Sequence, residues 1–220
     1  MSSDDLLLAA KNGNCAELRR IIDLSLTNAD YNGALVSAAF KGHWECIGML
    51  LPLSDRTAKN RALYVASAGN HLACCDALFP HTNKTGRTSA LNAGVRLNEN
   101  ATQIVSYFLG KGVTDPHGKA LIEAAVRGYD DAVRMLIPVS KPMAHNSSAL
   151  RHAVYHGHKE CAQALFAASD PHTVWKHLHA FRSDASQQWP ILDDLFAQQQ
   201  HNTLTDSLGV NLKPGRSRKL

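Results

Sequence analysis

Residues 34–51 read Ala34-Leu35-Val36-Ser37-Ala38-Ala39-Phe40-Lys41-Gly42-His43-Trp44-Glu45-Cys46-Ile47-Gly48-Met49-Leu50-Leu51. Pieces of this stretch return along the chain. Gly-His-x-x-Cys comes back as Gly157-His158-Lys159-Glu160-Cys161, and with Asn for Gly as Asn70-His71-Leu72-Ala73-Cys74. The leading leucine recurs as Leu6, Leu35, Leu63, Leu91, Leu121 and Leu150, at spacings of 29, 28, 28, 30 and 29 residues. A period of that size marks stacked repeats, each a single supersecondary unit.

The frame predicts helix, tight turn, helix, loop. Turn positions fall at Gly13, Gly42, Asn70, Asn100, Gly128 and Gly157, the fourth needing two extra residues before it. Gly or Asn there supplies the left-handed conformation that ends a helix. The first helix of the second copy is predicted over Ala34–Lys41. Its second helix carries Trp44, Ile47, Leu50 and Leu51 at helical spacing. Proline follows the closing apolar pair at Pro52, Pro80 and Pro138; it cannot continue a helix, lacking the donor and clashing with the preceding turn. One such hairpin cannot bury its apolar face alone, and stacking makes the core continuous.

The motif resembles the ankyrin repeat, whose signature includes Leu, then Ala-Ala, then Gly-His, and later Leu-Leu. Leu35, Ala38-Ala39, Gly42-His43 and Leu50-Leu51 match it, and Leu121–Gly128 and Leu150–His158 match nearly as well. The resemblance spans about residues 4–170. It implies an all-α, ankyrin-like helical-hairpin solenoid: six repeats over 1–170, capping helices over 171–200 and a disordered basic tail over 201–220. The chain departs from the family in lacking Thr-Pro and in its short period. The missing residues fall where the family places its β-hairpin finger. Only the fourth copy keeps a Gly-x-Gly there, Gly110-Lys111-Gly112.

Composition narrows the function classes. No run of about 18 apolar residues is present, so a membrane span is not expected. Five cysteines, an odd number, predict reduced thiols in a cytosolic setting. The net charge of +4 comes from Lys213, Arg216, Arg218 and Lys219, which leaves residues 1–209 neutral. The totals therefore show no broad basic face of the kind nucleic-acid binding requires. Catalytic signatures such as Gly-x-Ser-x-Gly or a phosphate-binding glycine loop are missing, and Lys84–Thr88 reads as a polar loop. The chain is expected to have no enzymatic activity and no cofactor.

The repeated His-x-x-Cys pairs are the one metal-like pattern, since residues i and i+3 share a helix face and both types bind zinc. A metal- or thiol-dependent activity built on them is the alternative function. Helices stacked about 8–10 Å apart hold such pairs too far apart to share one ion. The sequence therefore favours structural roles: His near the second helix's start and Cys as a small core residue. No metal site is assigned. A late concentration of histidines, His152 and His156 among them, suits a polar binding face.

The resemblance also implies that the two residues before each turn face the concave surface. They are Lys11-Asn12, Phe40-Lys41, Ala68-Gly69, Val126-Arg127 and Tyr155-His156. Apolar and aromatic side chains there are what interface hot spots use. The partner-binding set is therefore Phe40, Lys41, Val126, Arg127, Tyr155, His156 and His152. Its expected occupant is another protein, bound by a monomeric solenoid acting as a regulator or microbial effector. The expected setting is the cytoplasm, or a host cytosol if the chain is secreted.

Overall fold

The computed structural model describes residues 3–24, 30–99, 101–140 and 144–169, with positions 194, 195, 197 and 200 beyond them. The helices come in pairs. These are α1 (Ser3–Lys11) with α2 (Cys15–Asp23), α3 (Tyr31–Lys41) with α4 (Trp44–Leu50), and α5 (Arg56–Ala68) with α6 (Leu72–Leu78). Then come α7 (Lys84–Leu97) with α8 (Ala101–Gly110), α9 (Lys119–Arg127) with α10 (Asp130–Leu136), and α11 (Ala144–Tyr155) with α12 (Lys159–Ala167). The fold is the all-α array of hairpins the period predicts. Among the described residues the only extended pairing is a parallel bridge between Asp115 and Ser140. The predicted cap and tail lie outside the described residues, apart from positions 194, 195, 197 and 200, of which Leu195 is buried.

Three of the first helices, α3, α5 and α7, start on a side-chain cap. Asp30, Asp55 and Asn83 accept from the amides of Gly33, Ala58 and Gly86, each at 2.8 Å. Such a cap satisfies one of the orphan donors of the first turn. These caps also correct two sequence expectations. Helix α3 begins at Tyr31 rather than Ala34, and Lys84–Thr88 is the first turn of α7 rather than a loop. Neighbouring repeats are stitched at the same level. Asn32 accepts from the Asp55 amide at 3.0 Å and donates to its carboxylate at 2.8 Å, and Asn60 accepts from the Asn83 amide at 3.3 Å.

The turns close as the frame requires. The amides of Asn14, His43, His71, Tyr129 and His158 reach back to the carbonyls of Ala9, Ala38, Ala66, Ala124 and Ala153. That bond forces positive φ at the residue before each, Gly13, Gly42, Asn70, Gly128 and Gly157. Copy four differs. Its first helix runs to Leu97 and ends on Asn98 in extended backbone, φ −119°. Asn100 lies outside the described residues.

The leading leucines Leu6, Leu35, Leu63, Leu91, Leu121 and Leu150 are all buried, as are the small residues three on, alanine in five copies and Gly94 in the fourth. Small residues there let first helices pack directly on each other along the stack, more closely than second helices do. The stack therefore turns its first-helix side inward. The second helices are short and bury little more than one stripe, Cys46, Ile47 and Leu50 in α4. Trp44, counted on that stripe from sequence, is 52% exposed, because it opens the helix a turn before Ile47. The prolines sit inside one-turn 3₁₀ segments, Leu51–Leu53, Phe79–His81 and Ile137–Val139, which end each second helix.

The cysteines correct another expectation. Cys15 and Cys46 pair as a disulfide joining the first two repeats, with Cα atoms 5.4 Å apart. Cys15 lies two residues after its turn glycine and Cys46 four after its own, so repeat stacking alone brings them together. Cys74, Cys75 and Cys161 are free and buried.

Candidate functional site

The His of each Gly-His motif is spent on the repeat before it. His43 donates from Nε2 to the carbonyl of Lys11 at 3.1 Å, His71 to Phe40 at 3.2 Å, and His158 to Val126 at 3.1 Å. In each case the acceptor lies two residues before the preceding turn glycine. The ring lies against that glycine: a Cβ on Gly13, Gly42 or Gly128 would meet the ring at 2.5, 2.8 or 2.5 Å. Glycine at the turn is thus a socket as well as a left-handed residue. Asn70 takes the turn with φ 58° where the next copy has no histidine; its amide donates instead to Gln103 at 2.9 Å.

This use of the rings leaves little of the metal or thiol alternative. Among the described residues no three His, Cys, Asp or Glu side chains gather as a metal site. Burial pushes the free thiols up, Cys74 and Cys161 to about 11 and Cys75 to about 12. At neutral pH they stay protonated, and the thiolate is the form that attacks or ligates.

The residues expected to bind a partner fall into two groups. Phe40 is 60% exposed, with Lys41 Nζ 5.3 Å from its ring centroid. Four repeats further on, Tyr155 is also 60% exposed and meets His156 edge to face at 5.1 Å. His156 stacks with His152 at 6.2 Å and with His158 at 6.0 Å. Arg127 is exposed, whereas Val126 is half-buried and gives its carbonyl to His158. The two groups do not touch. At about 8–10 Å per repeat they stand roughly 30–40 Å apart.

Between them lies a hollow of about 310 Å³ lined by Tyr64, Asn92, Arg96, Lys119, Ile122 and Glu123, with Ser89 and Ala93. Arg96 donates to the Tyr64 hydroxyl at 2.6 Å, and Asn92 Oδ1 is buried with no hydrogen-bond partner among the described residues. Sequence reasoning missed this centre for a definite reason. With Asn100 taken as the turn, copy four offered no residue to the series before the turn. Counted from Leu91, Arg96 stands in the register that Phe40, Val126 and Tyr155 hold after their own leading leucines. The residue after each leading leucine, Tyr64, Asn92 and Ile122 among them, lies four residues earlier on the same helix face.

The matching family model is that of ankyrin repeats in three copies, over residues 91–174. Over those residues the chain is similar to ankyrin repeats. Helices α1–α6 carry the same hairpin, turn bond and His socket, so the ankyrin-like array continues toward the N-terminus. No curated protein matches the chain. Ankyrin repeats are in general protein–protein interaction modules and typically non-enzymatic. Among the described residues no helix is long and apolar enough to cross a membrane.

The histidine group at the C-terminal end of the ankyrin array has a pH signature. His152 is held below the ordinary imidazole value near 6.5, chiefly by burial, then by Arg151 and His156, with Glu123 opposing. The unfolded chain therefore binds this proton more readily. Its contribution to stability is whole above pH 6.5 and is lost as pH falls toward the depressed value. A lower melting temperature is expected at pH 5 than at pH 7.5, and His152→Gln should narrow the gap. An unchanged gap in circular-dichroism melts would take His152 out of the account.

Proposed function

We propose that this chain is a non-enzymatic module that captures a partner protein along the face of its first helices. The observation that carries the reading is the exposure of Phe40 and Tyr155, both 60%, on the same face of the array. Large rings left in water on a rigid scaffold cost little conformational entropy to dock, and such residues dominate interface energies. Arg127, Lys41, Val126, His152 and His156 surround them as the adaptable polar and apolar margin.

The setting we propose is a cytosol, with the chain acting as a regulator or as an effector delivered into a host. The Cys15–Cys46 disulfide suits the second case, because a secreted chain passes through an oxidising compartment where such a bond forms. The carrying experiment is a pull-down from native cells with the full chain and with a Phe40→Ala/Tyr155→Ala variant. The variant is expected to lose capture of specific partners while helical content and melting temperature hold. Capture at wild-type level would sink the proposal.

A further inference from the structure

The neutral total of residues 1–209 hides a segregation of charge. The first helices of repeats two to six, α3, α5, α7, α9 and α11, hold ten Lys and Arg residues against one acid, Glu123. The second helices behind them, α4, α6, α8, α10 and α12, hold five acids against two bases. The layer that forms the inner face is cationic and the outer layer is not. At the middle of the inner face, the hollow brings Arg96 and Lys119 together with the unpartnered Asn92 oxygen.

We infer that the hollow is the specificity site of this face and takes an extended peptide segment bearing Asp or Glu side chains; the inference rests on the binding-face reading above. Each part has a group to meet. A carboxylate of the segment pairs with the guanidinium of Arg96, already oriented by its bond to Tyr64, and with the Lys119 ammonium. Ile122 and the Tyr64 ring give the stem apolar contact. An extended dodecapeptide reaches about 40 Å, the length needed to touch Phe40 and Tyr155 as well.

The same chemistry rejects other occupants. The chain's own last eleven residues carry Lys213, Arg216, Arg218 and Lys219 and no acid, so a cationic face repels them. A nucleic-acid backbone brings phosphates against Glu123, which shares the hollow. Charge pairing of this kind sets partner choice and encounter rate more than raw affinity.

The test is fluorescence anisotropy on the full chain with three labelled probes. They are a dodecapeptide of Gly-Ser-Glu triplets, its Gly-Ser-Gln counterpart, and a single-stranded oligothymidylate of matching length. At about 50 mM salt, where screening is modest, the Glu peptide is expected to bind about tenfold more tightly than the Gln peptide. Arg96→Gln and Lys119→Gln should each remove most of that preference. Both cations are exposed, so these variants should keep wild-type circular dichroism. Equal binding of the two peptides, indifference to Arg96→Gln, or tighter binding of the oligonucleotide would overturn the inference. The broader reading is judged separately. If the Phe40→Ala/Tyr155→Ala variant loses partner capture while Arg96→Gln keeps it, only the acidic-segment inference fails; if the double variant keeps capture, the binding face itself fails.

Discussion

Gly128→Ala is expected to destabilise the array by about 3 kcal/mol, far beyond an ordinary surface substitution. Two costs add. Alanine in a left-handed conformation, φ 73° here, loses about 1–2 kcal/mol. Its methyl would then sit 2.5 Å from Nδ1 of His158, and forcing extra volume into a packed site costs about 1–3 kcal/mol. The ring cannot simply swing aside without giving up its bond to the Val126 carbonyl. A double-mutant cycle separates the costs. In a His158→Ala background the steric part vanishes, so Gly128→Ala should cost only the conformational part. Asn70 is the control within the same chain, because no histidine from the next repeat fills its turn. Asn70→Gly should change the unfolding free energy read from urea titration by less than about 1 kcal/mol. Equal costs for Gly128→Ala with and without His158 would show that the socket is not what demands glycine.

That socket explains why the Gly-His pattern was legible as a frame and illegible as an interaction. Gly and His are neighbours in sequence, yet they serve opposite interfaces. Gly42 receives the His71 ring from the repeat after it, while His43 reaches the repeat before it, at Lys11. Periodicity shows that both recur; only stacking shows what each meets. The leading leucines were legible because burial is the same in every copy. Copy four was not, because counting back from Asn100 across its two extra residues concealed Arg96, which counting forward from Leu91 puts in register with Phe40. Helix starts were misread where the first turn is polar, as in Lys84–Thr88. There Asn83 three residues before Gly86 was the usable signal, a cap rather than a periodicity. The Cys15–Cys46 pair was beyond reach, since the two cysteines occupy different places in the repeat.

Charge shows the same limit from another side. The sum over residues 1–209 is zero, and a sum cannot say which layer carries which sign. Sorting by helix requires only the pairing of helices, which the period supplies. Knowing that Arg96, Lys119 and Asn92 converge requires the register between α7 and α9, which it does not. The likeness to ankyrin repeats carries the general expectation of protein binding. The segregated charge and the hollow carry the proposed preference for acidic partners.

Asp115→Ala is expected to cost about 3 kcal/mol and to split the unfolding of the array. The Asp115 carboxylate is fully buried in the longest link between repeats, just after Gly112. It accepts from the amides of Lys119 and Leu121, each at 3.0 Å, and from Ser140 Oγ at 3.1 Å. Its own amide donates to the Val139 carbonyl at 3.3 Å. One side chain thus starts α9 and ties the link before it to the exit of the same repeat, where its backbone bridges Ser140. Removing it orphans two buried amides and a hydroxyl, each at about 1–3 kcal/mol, offset in part because a buried charge is removed as well. Asp115→Asn should cost about 2 kcal/mol, since all three partners are donors and the amide offers one oxygen while its NH₂ group opposes a donor. Ser140→Ala, losing a single bond, should cost about 1 kcal/mol. Repeats couple mainly to their neighbours, so weakening this link should let repeats five and six unfold before one to four. Urea titration of the Asp115→Ala chain should therefore show a broadened or two-step transition where the parent shows one. A single transition at the parent midpoint would mean the carboxylate is dispensable to the joint.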